Sequence, residues 1–197
     1  MAYKMYLLDI RDLEDKSLSE KAMTLIDDER RKIANKYCKE KDRLRAIAAG
    51  LLLQLGFLEL EPECLSELTK PVQIQYIKGA HGKPFWDRHV MEKEYPSKKY
   101  WHFNLSHSGD YVVLVIADRE IGVDVQEFRD GVKYPGGIQE FCRTEAYVKC
   151  TGEGFAHGRK EYDKYHGNVP GYEFVNIETL ENYALFICFA EDKSCKG

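Results

Sequence analysis

FNLSHSGDYVVLVIADREIGVDVQ, residues 103–126, sets two apolar runs around two short polar breaks. Residues 101–105 read as a short strand, broken by the polar stretch 106–110. Residues 111–117 (YVVLVIA) form a continuous apolar run of strand length, as expected of a buried strand. Asp118-Arg119-Glu120 reads as a hairpin turn, and 121–126 as the returning strand. Working outward, 3–10 reads as a strand and 18–38 has helical spacing. A second helix runs from about 41 to 55, with Gly56 as its stop. Residues 72–77 alternate as a strand, 81–84 turn, and 87–99 read as a polar surface loop. Downstream, 130–137 is a Gly/Pro-rich loop, and 138–151 is a helix stopping at Gly152. Residues 154–171 read as polar and irregular, and 172–177 and 182–190 as two apolar strands. Strands and helices partly segregated along the chain indicate an α+β fold.

The chain has 197 residues, 44% of them hydrophobic and 12% aromatic, enough to bury a core and too apolar for a disordered chain. Twenty-nine Lys+Arg against 33 Asp+Glu leave a net charge of −4, so bulk charge recruits neither nucleic acid nor an anionic membrane. The longest apolar stretch, 46–53, falls far short of the ~20 residues of a membrane span. Lys4, Asp9 and Arg11 are unlike a signal peptide, so a cytoplasmic protein is expected. None of the six cysteines is spaced as CxxC, which points to reduced, buried thiols rather than disulfides or zinc.

Four features carry candidate chemistry. In GVDVQ, residues 122–126, Asp124 and Gln126 share one strand face, about 6.6 Å apart, while Val123 and Val125 share the other. A carboxylate on a strand this apolar needs a partner, a metal ion or, as spacing alone would favour, a salt bridge or turn contact. Glu145 and Lys149 stand four apart on one helix face, as either a surface ion pair or a carboxylate–ammonium pair aimed at phosphate. Ser106 and His107 follow a strand abruptly, as a satisfied turn or a phosphate contact. No Gly-x-Ser-x-Gly elbow accompanies them, so a serine hydrolase is not indicated. Gly82-Lys83-Pro84 lacks the glycines and the Ser/Thr of a Walker loop. The basic set Arg30, Arg31, Lys32, Lys39, Lys41, Arg43 and Arg45 is either a solvated face or a grip on a terminal phosphate.

Taken in order, Gly82-Lys83-Pro84, residues 103–126 and EAYVKCTGEG at 145–154 resemble the 4′-phosphopantetheinyl transferases. The closer match is the larger, pseudo-dimeric type that activates peptide and polyketide synthases, and the likeness spans roughly 29–154. The resemblance implies transfer of the phosphopantetheine arm of coenzyme A to a serine of an apo acyl or peptidyl carrier protein, releasing 3′,5′-ADP. It implies Mg2+ held by Asp124 and Glu145, with Gln126 at a third ligand position, and Lys149 on the phosphates. Glu145 is also the candidate base. Ser106 and His107 would hold a coenzyme A phosphate, Lys83 and Pro84 would lie against the nucleotide, and Arg45 and Arg30 would hold the 3′-phosphate. Two similar α+β halves, 1–100 and 101–197, with the ligand cleft between them, follow from the same resemblance, as does a monomer.

Three departures stand out. Gln126 replaces a common Glu, which predicts weaker Mg2+ affinity than a Gln126→Glu variant would show. Phe141-Cys142-Arg143-Thr144-Glu145 replaces Trp-Thr-x-Lys-Glu, so the Lys beside the Glu is missing; Arg143, two residues before Glu145, lies on a different helix face. The connection from Gln126 to Glu145 is short, which means either a reduced carrier platform or a segment absent from this sequence. These departures keep open a second reading, a non-catalytic homologue that binds coenzyme A or a carrier protein.

Overall fold

β5 (Tyr111–Ala117) has both faces buried, and the architecture follows from it. In the computed structural model, which describes residues 2–61 and 68–191, its alternate side chains enter two different cores. Val112, Leu114 and Ile116 face the long helix α3 (Glu40–Leu58). Val113, Val115 and Ala117 face a second sheet through Val123, Val125, Leu185, Ile187 and Phe189. Each such Val, Leu or Ile contributes about 1.5–3 kcal/mol on burial, so this strand has little freedom to slip its register.

β5 is the centre of an antiparallel sheet in the order β1 (Tyr3–Asp9), β5, β4 (His102–Ser108). β6 (Ile121–Glu127) leaves for the second antiparallel sheet, where β8 (Tyr183–Ala190) pairs with both β6 and β7 (Tyr172–Asn176). The expected β5–β6 hairpin is therefore not formed. Both edges of β5 are already taken by β1 and β4, so 118–120 carries the chain from one sheet to the other. The first sheet joins strands from both sides of Tyr100, so a boundary there runs through a hydrogen-bonded sheet.

Other elements differ from expectation for local reasons. The single helix expected over 18–38 is two, α1 (Lys16–Thr24) and α2 (Asp28–Ala34), because Asp27 starts a new helix by accepting from the Arg30 amide. α3 runs past Gly56 to Leu58. Gly56 serves close packing, since a Cβ there would stand 2.5 Å from Leu114 Cδ2. The helix ends at Glu59 (φ 57°), where the buried Lys98 ammonium donates to the Gly56 and Phe57 carbonyls. Only Tyr76–Lys78 of the strand expected at 72–77 forms β2, paired with β3 (Pro84–Trp86). Val72 instead gives its backbone N–H and C=O to the buried side chain of Gln54. The surface loop at 87–99 contains a short helix, α4 (Arg88–Met91).

α5 (Ile138–Thr151) forms as read and ends at Gly152. The stretch expected to be irregular after it contains α6 (Phe155–Lys164), a polar helix tied down by buried Tyr162. Cys142, Cys150 and Cys188 are buried free thiols and Cys38 is an exposed one, while Cys64 and Cys195 lie outside the described residues. Among the described residues, no helix is long and apolar enough to cross a membrane.

Candidate active site

The site is assembled where α5 lies on β6. A Cβ at Gly122 would stand 2.1 Å from the Ala146 carbonyl oxygen and 2.3 Å from the Cys150 amide nitrogen, so only glycine lets the helix lie so close to the strand. Cys142, Ala146 and Cys150, four apart, make the buried face of α5. Glu145, Val148 and Lys149 line the side that faces a cavity. Arg143 points elsewhere, its guanidinium 4.3 Å from the Phe174 ring centroid, so it does not replace the missing Lys. Thr144, where that Lys would stand, is buried and donates to the Glu140 carbonyl 2.8 Å away.

Asp124 is 1% exposed and its partner is a salt bridge: Lys149 Nζ stands 2.5 Å from Oδ1. Ser106 Oγ also donates to Oδ1 at 2.9 Å, and Gln126 Nε2 donates to Oδ2 at 2.8 Å. The two-residue spacing thus does place Gln126 beside Asp124. Lys149 takes Asp124 and Ser106, and forms no ion pair with Glu145. Among the described residues the Glu145 carboxylate has no hydrogen bond. Burial, and then the like charge of Asp124, push its pKa up.

β4 and β6 run side by side in parallel without a backbone ladder. Asn104 Oδ1, Ser106 Oγ and Ser108 Oγ accept from the backbone amides of Val123, Val125 and Glu127, at 2.9, 3.2 and 3.0 Å. Sequence reading missed this seam. Its signal is the alternation Asn104-x-Ser106-x-Ser108, polar residues at every second position of a strand.

The basic positions divide into two groups. Lys83 is 8% exposed along its side chain and is fully engaged, donating to Glu120 Oε2 (3.0 Å), the Ile121 carbonyl (3.3 Å) and the Cys150 carbonyl (2.8 Å). Arg45 grips the Gly109 carbonyl with two nitrogens (3.0 and 2.6 Å) and Asp42 with a third (2.7 Å). Arg30 differs, because among the described residues its buried Nε has no hydrogen-bond partner. A buried guanidinium N–H left without an acceptor is costly and suits an anion. Burial, then the charges of Arg45 and Lys149, lower the His107 pKa below the usual imidazole range.

Three cavities adjoin one another along shared residues. One of about 350 Å3 is lined by Gly82, Lys83, Pro84, Leu105, Glu145 and Lys149. One of about 150 Å3 shares Gly82, Pro84 and Leu105 and adds Arg30 and Tyr76. One of about 450 Å3 shares Arg30, Pro84 and Leu105 and adds Arg45 and His107. A separate hollow of about 370 Å3, lined by Leu13, Leu18, Ala22, Leu25 and Leu51, is apolar and carries none of this chemistry.

An acid–lysine centre beside basic cavities is suited to phosphate groups on a polyanionic substrate. A family model for 4′-phosphopantetheinyl transferase, N-terminal, matches residues 15–119, more than half of the chain. The chain is similar to the 4′-phosphopantetheinyl transferase psf-1 of Bacillus pumilus, 24% identical over 185 residues that cover 81% of this chain and 73% of the relative. It is also similar to a 4′-phosphopantetheinyl transferase of Bacillus subtilis, 21% identical over 212 aligned residues, 90% of this chain and 88% of the relative. A phosphopantetheinyl transferase of Thraustochytrium sp. is 32% identical over 117 residues, 59% of this chain and 36% of the relative. The chain belongs to the 4′-phosphopantetheinyl transferase family and is an enzyme of that class.

Proposed function

We propose that this protein transfers the 4′-phosphopantetheine arm of coenzyme A to a serine hydroxyl of an apo acyl or peptidyl carrier protein, releasing 3′,5′-ADP. The observation that carries this reading is the run of adjoining cavities from Glu145 and Lys149 to His107 and the unpartnered Arg30 Nε. Its length and charge suit a nucleotide with a pyrophosphate and a terminal phosphate. Arg30 and His107 bind phosphate, and Pro84 and Leu105 make the apolar wall for the base. Lys83, whose three ammonium protons are already taken by the protein, shapes the cleft rather than grips the ligand, while Arg45 keeps two N–H groups beyond those that bond Gly109 and Asp42 and lines the cavity beside Arg30 and His107.

The carrier serine oxygen forms a bond to the phosphorus that bears pantetheine. The bond from that phosphorus to the oxygen of 3′,5′-ADP breaks, and the nucleotide leaves with the electron pair. Glu145, whose carboxylate has a raised proton affinity, takes the serine proton. Lys149 offsets charge on the phosphates. The donor set fits a hard cation: two carboxylates, Asp124 and Glu145, of which Glu145 has no hydrogen bond among the described residues, and the Gln126 carboxamide oxygen once the amide turns. Bound there, Mg2+ would neutralise pyrophosphate charge.

The same reading divides the chain into two α+β halves, each a three-stranded sheet with a covering helix, meeting at the β4–β6 seam. The division expected at Tyr100 moves to the 118–120 turn. It takes the protein as a cytoplasmic monomer. Phe128 and Val132, exposed on the connection before α5, offer the carrier an apolar contact. One observation favours a second reading, a homologue that binds coenzyme A or a carrier without turnover. Asp124 is already met by an ammonium and a carboxamide N–H rather than left open.

The test is the intact mass of apo carrier proteins after incubation with this protein, coenzyme A and Mg2+. A gain of one phosphopantetheine, lost when the carrier serine is replaced, is expected. Coenzyme A binding with no gain on any carrier would favour the second reading.

A further inference from the structure

We propose that Ser106 is a positioning residue that fixes Asp124 and Lys149 relative to each other, and does not itself hold coenzyme A. The inference rests on the transferase reading above and reassigns one of its residues. Ser106 is 5% exposed and its hydroxyl is fully engaged. It donates to Asp124 Oδ1 at 2.9 Å, and accepts from the Val125 amide at 3.2 Å and from Lys149 Nζ at 3.0 Å. A serine hydroxyl has one donor and two acceptor sites, so nothing remains for a phosphate. Its neighbours Leu105 and His107 line the cavities, while Ser106 lines none of those described.

The arrangement ties three elements at one atom. The Val125 amide fixes the hydroxyl to the β6 backbone. From that anchor it holds the carboxylate of the same strand and the ammonium that α5 brings in. Asn104 and Ser108 make the same kind of bond to β6, to the Val123 and Glu127 amides, but neither bonds Asp124 or Lys149. Ser106 alone of the three joins the seam to the acid–lysine pair, and Ser108 is its internal control.

The test compares the wild type with Ser106→Ala and Ser108→Ala, with coenzyme A varied at saturating carrier. Ser106→Ala should lower kcat about 10–100-fold, the usual effect of removing a group that orients a catalytic ligand, with KM for coenzyme A within about twofold. Ser108→Ala removes a seam bond without touching the pair and should stay within about twofold in kcat. A rise in KM at unchanged kcat would assign the hydroxyl to coenzyme A instead. Equal losses in both variants would reduce Ser106 to a seam residue, and either result overturns the proposal. A wild type that transfers to no carrier defeats the transferase reading alone. The positioning role is then read by amide hydrogen exchange at Val125 and by acylation of Lys149 with an amine reagent. Both should be about tenfold faster in Ser106→Ala, the scale of one lost hydrogen bond, and unchanged rates would overturn the proposal.

Discussion

Two lysines that line one cavity reach β6, and they are built in opposite ways. At the start of the strand, Lys83 is the buried member and Glu120 the exposed one, with side chains 8% and 44% accessible. Three protein acceptors satisfy that ammonium. In the middle of the strand the order is reversed: Asp124 is 2% accessible and Lys149 29%. Burial pushes Glu120 up, but the His102 imidazole 3.4 Å away and the Lys83 ammonium hold its pKa down to about 2. Glu145, close to the second pair, is pushed the other way. The first pair is closed and joins the 79–83 turn to the second sheet and α5. The second presents its cation and a spare carboxylate to a cavity. One motif of lysine against acid thus serves architecture in one place and, in the proposed reading, chemistry in the other, and the two differ in which side chain is buried.

The largest expected effect separates the two pairs by activity. Asp124→Ala should lower transfer at least about 10³-fold, as loss of a charged group at a phosphoryl-transfer centre does. The fold should hold, because Lys149 is exposed enough to find water. Transfer assays with circular dichroism on the same sample check both parts, and turnover near wild type would remove Asp124 from the centre.

Lys83→Met should give the opposite pattern. Breaking a buried pair costs about 3–5 kcal/mol, and the exposure of Glu120 reduces that to about 1–2 kcal/mol. Denaturant midpoints should fall while kcat falls less than about tenfold. The acid limb sharpens the contrast. Glu120 has a lower pKa folded than its ordinary 4.5, so its stabilisation is present above pH 4.5 and is lost as pH falls toward about 2. That limb should flatten in Lys83→Met. A variant with unchanged stability and lost coenzyme A binding would move Lys83 to the ligand.

The smallest effect is Gln126→Glu, which should tighten Mg2+ binding severalfold in a calorimetric titration. It replaces a carboxamide next to Asp124 with a third carboxylate. No gain would mean that position 126 does not reach the metal.

Which side chains share a face was legible in the sequence, whereas their grouping into one centre was implied only by the family resemblance. The period of two placed Asp124 and Gln126 on one face, and the period of 3.6 put Glu145 and Lys149 together and Arg143 elsewhere. The roles of Lys83 and Ser106 were not legible, because their partners Glu120, Cys150, Val125 and Lys149 stand 19 to 67 residues away. The β5–β6 hairpin was misread because a tight turn between two strands looks the same whether they pair or part. Their separation depends on β1, which claims the β5 edge from more than a hundred residues upstream.

By itself the sequence determined the α+β class, the buried strand at 111–117 and the helix ending at Gly152. Those follow from local periodicity, turn chemistry and residue type, which act over a few residues. Only the tertiary structure decided which lysine is buried and which is exposed, that Ser106 binds inward, and that Gly122 sets the depth of α5 on β6. Those depend on burial and on the donors and acceptors of distant segments, which exist only once the two sheets have packed.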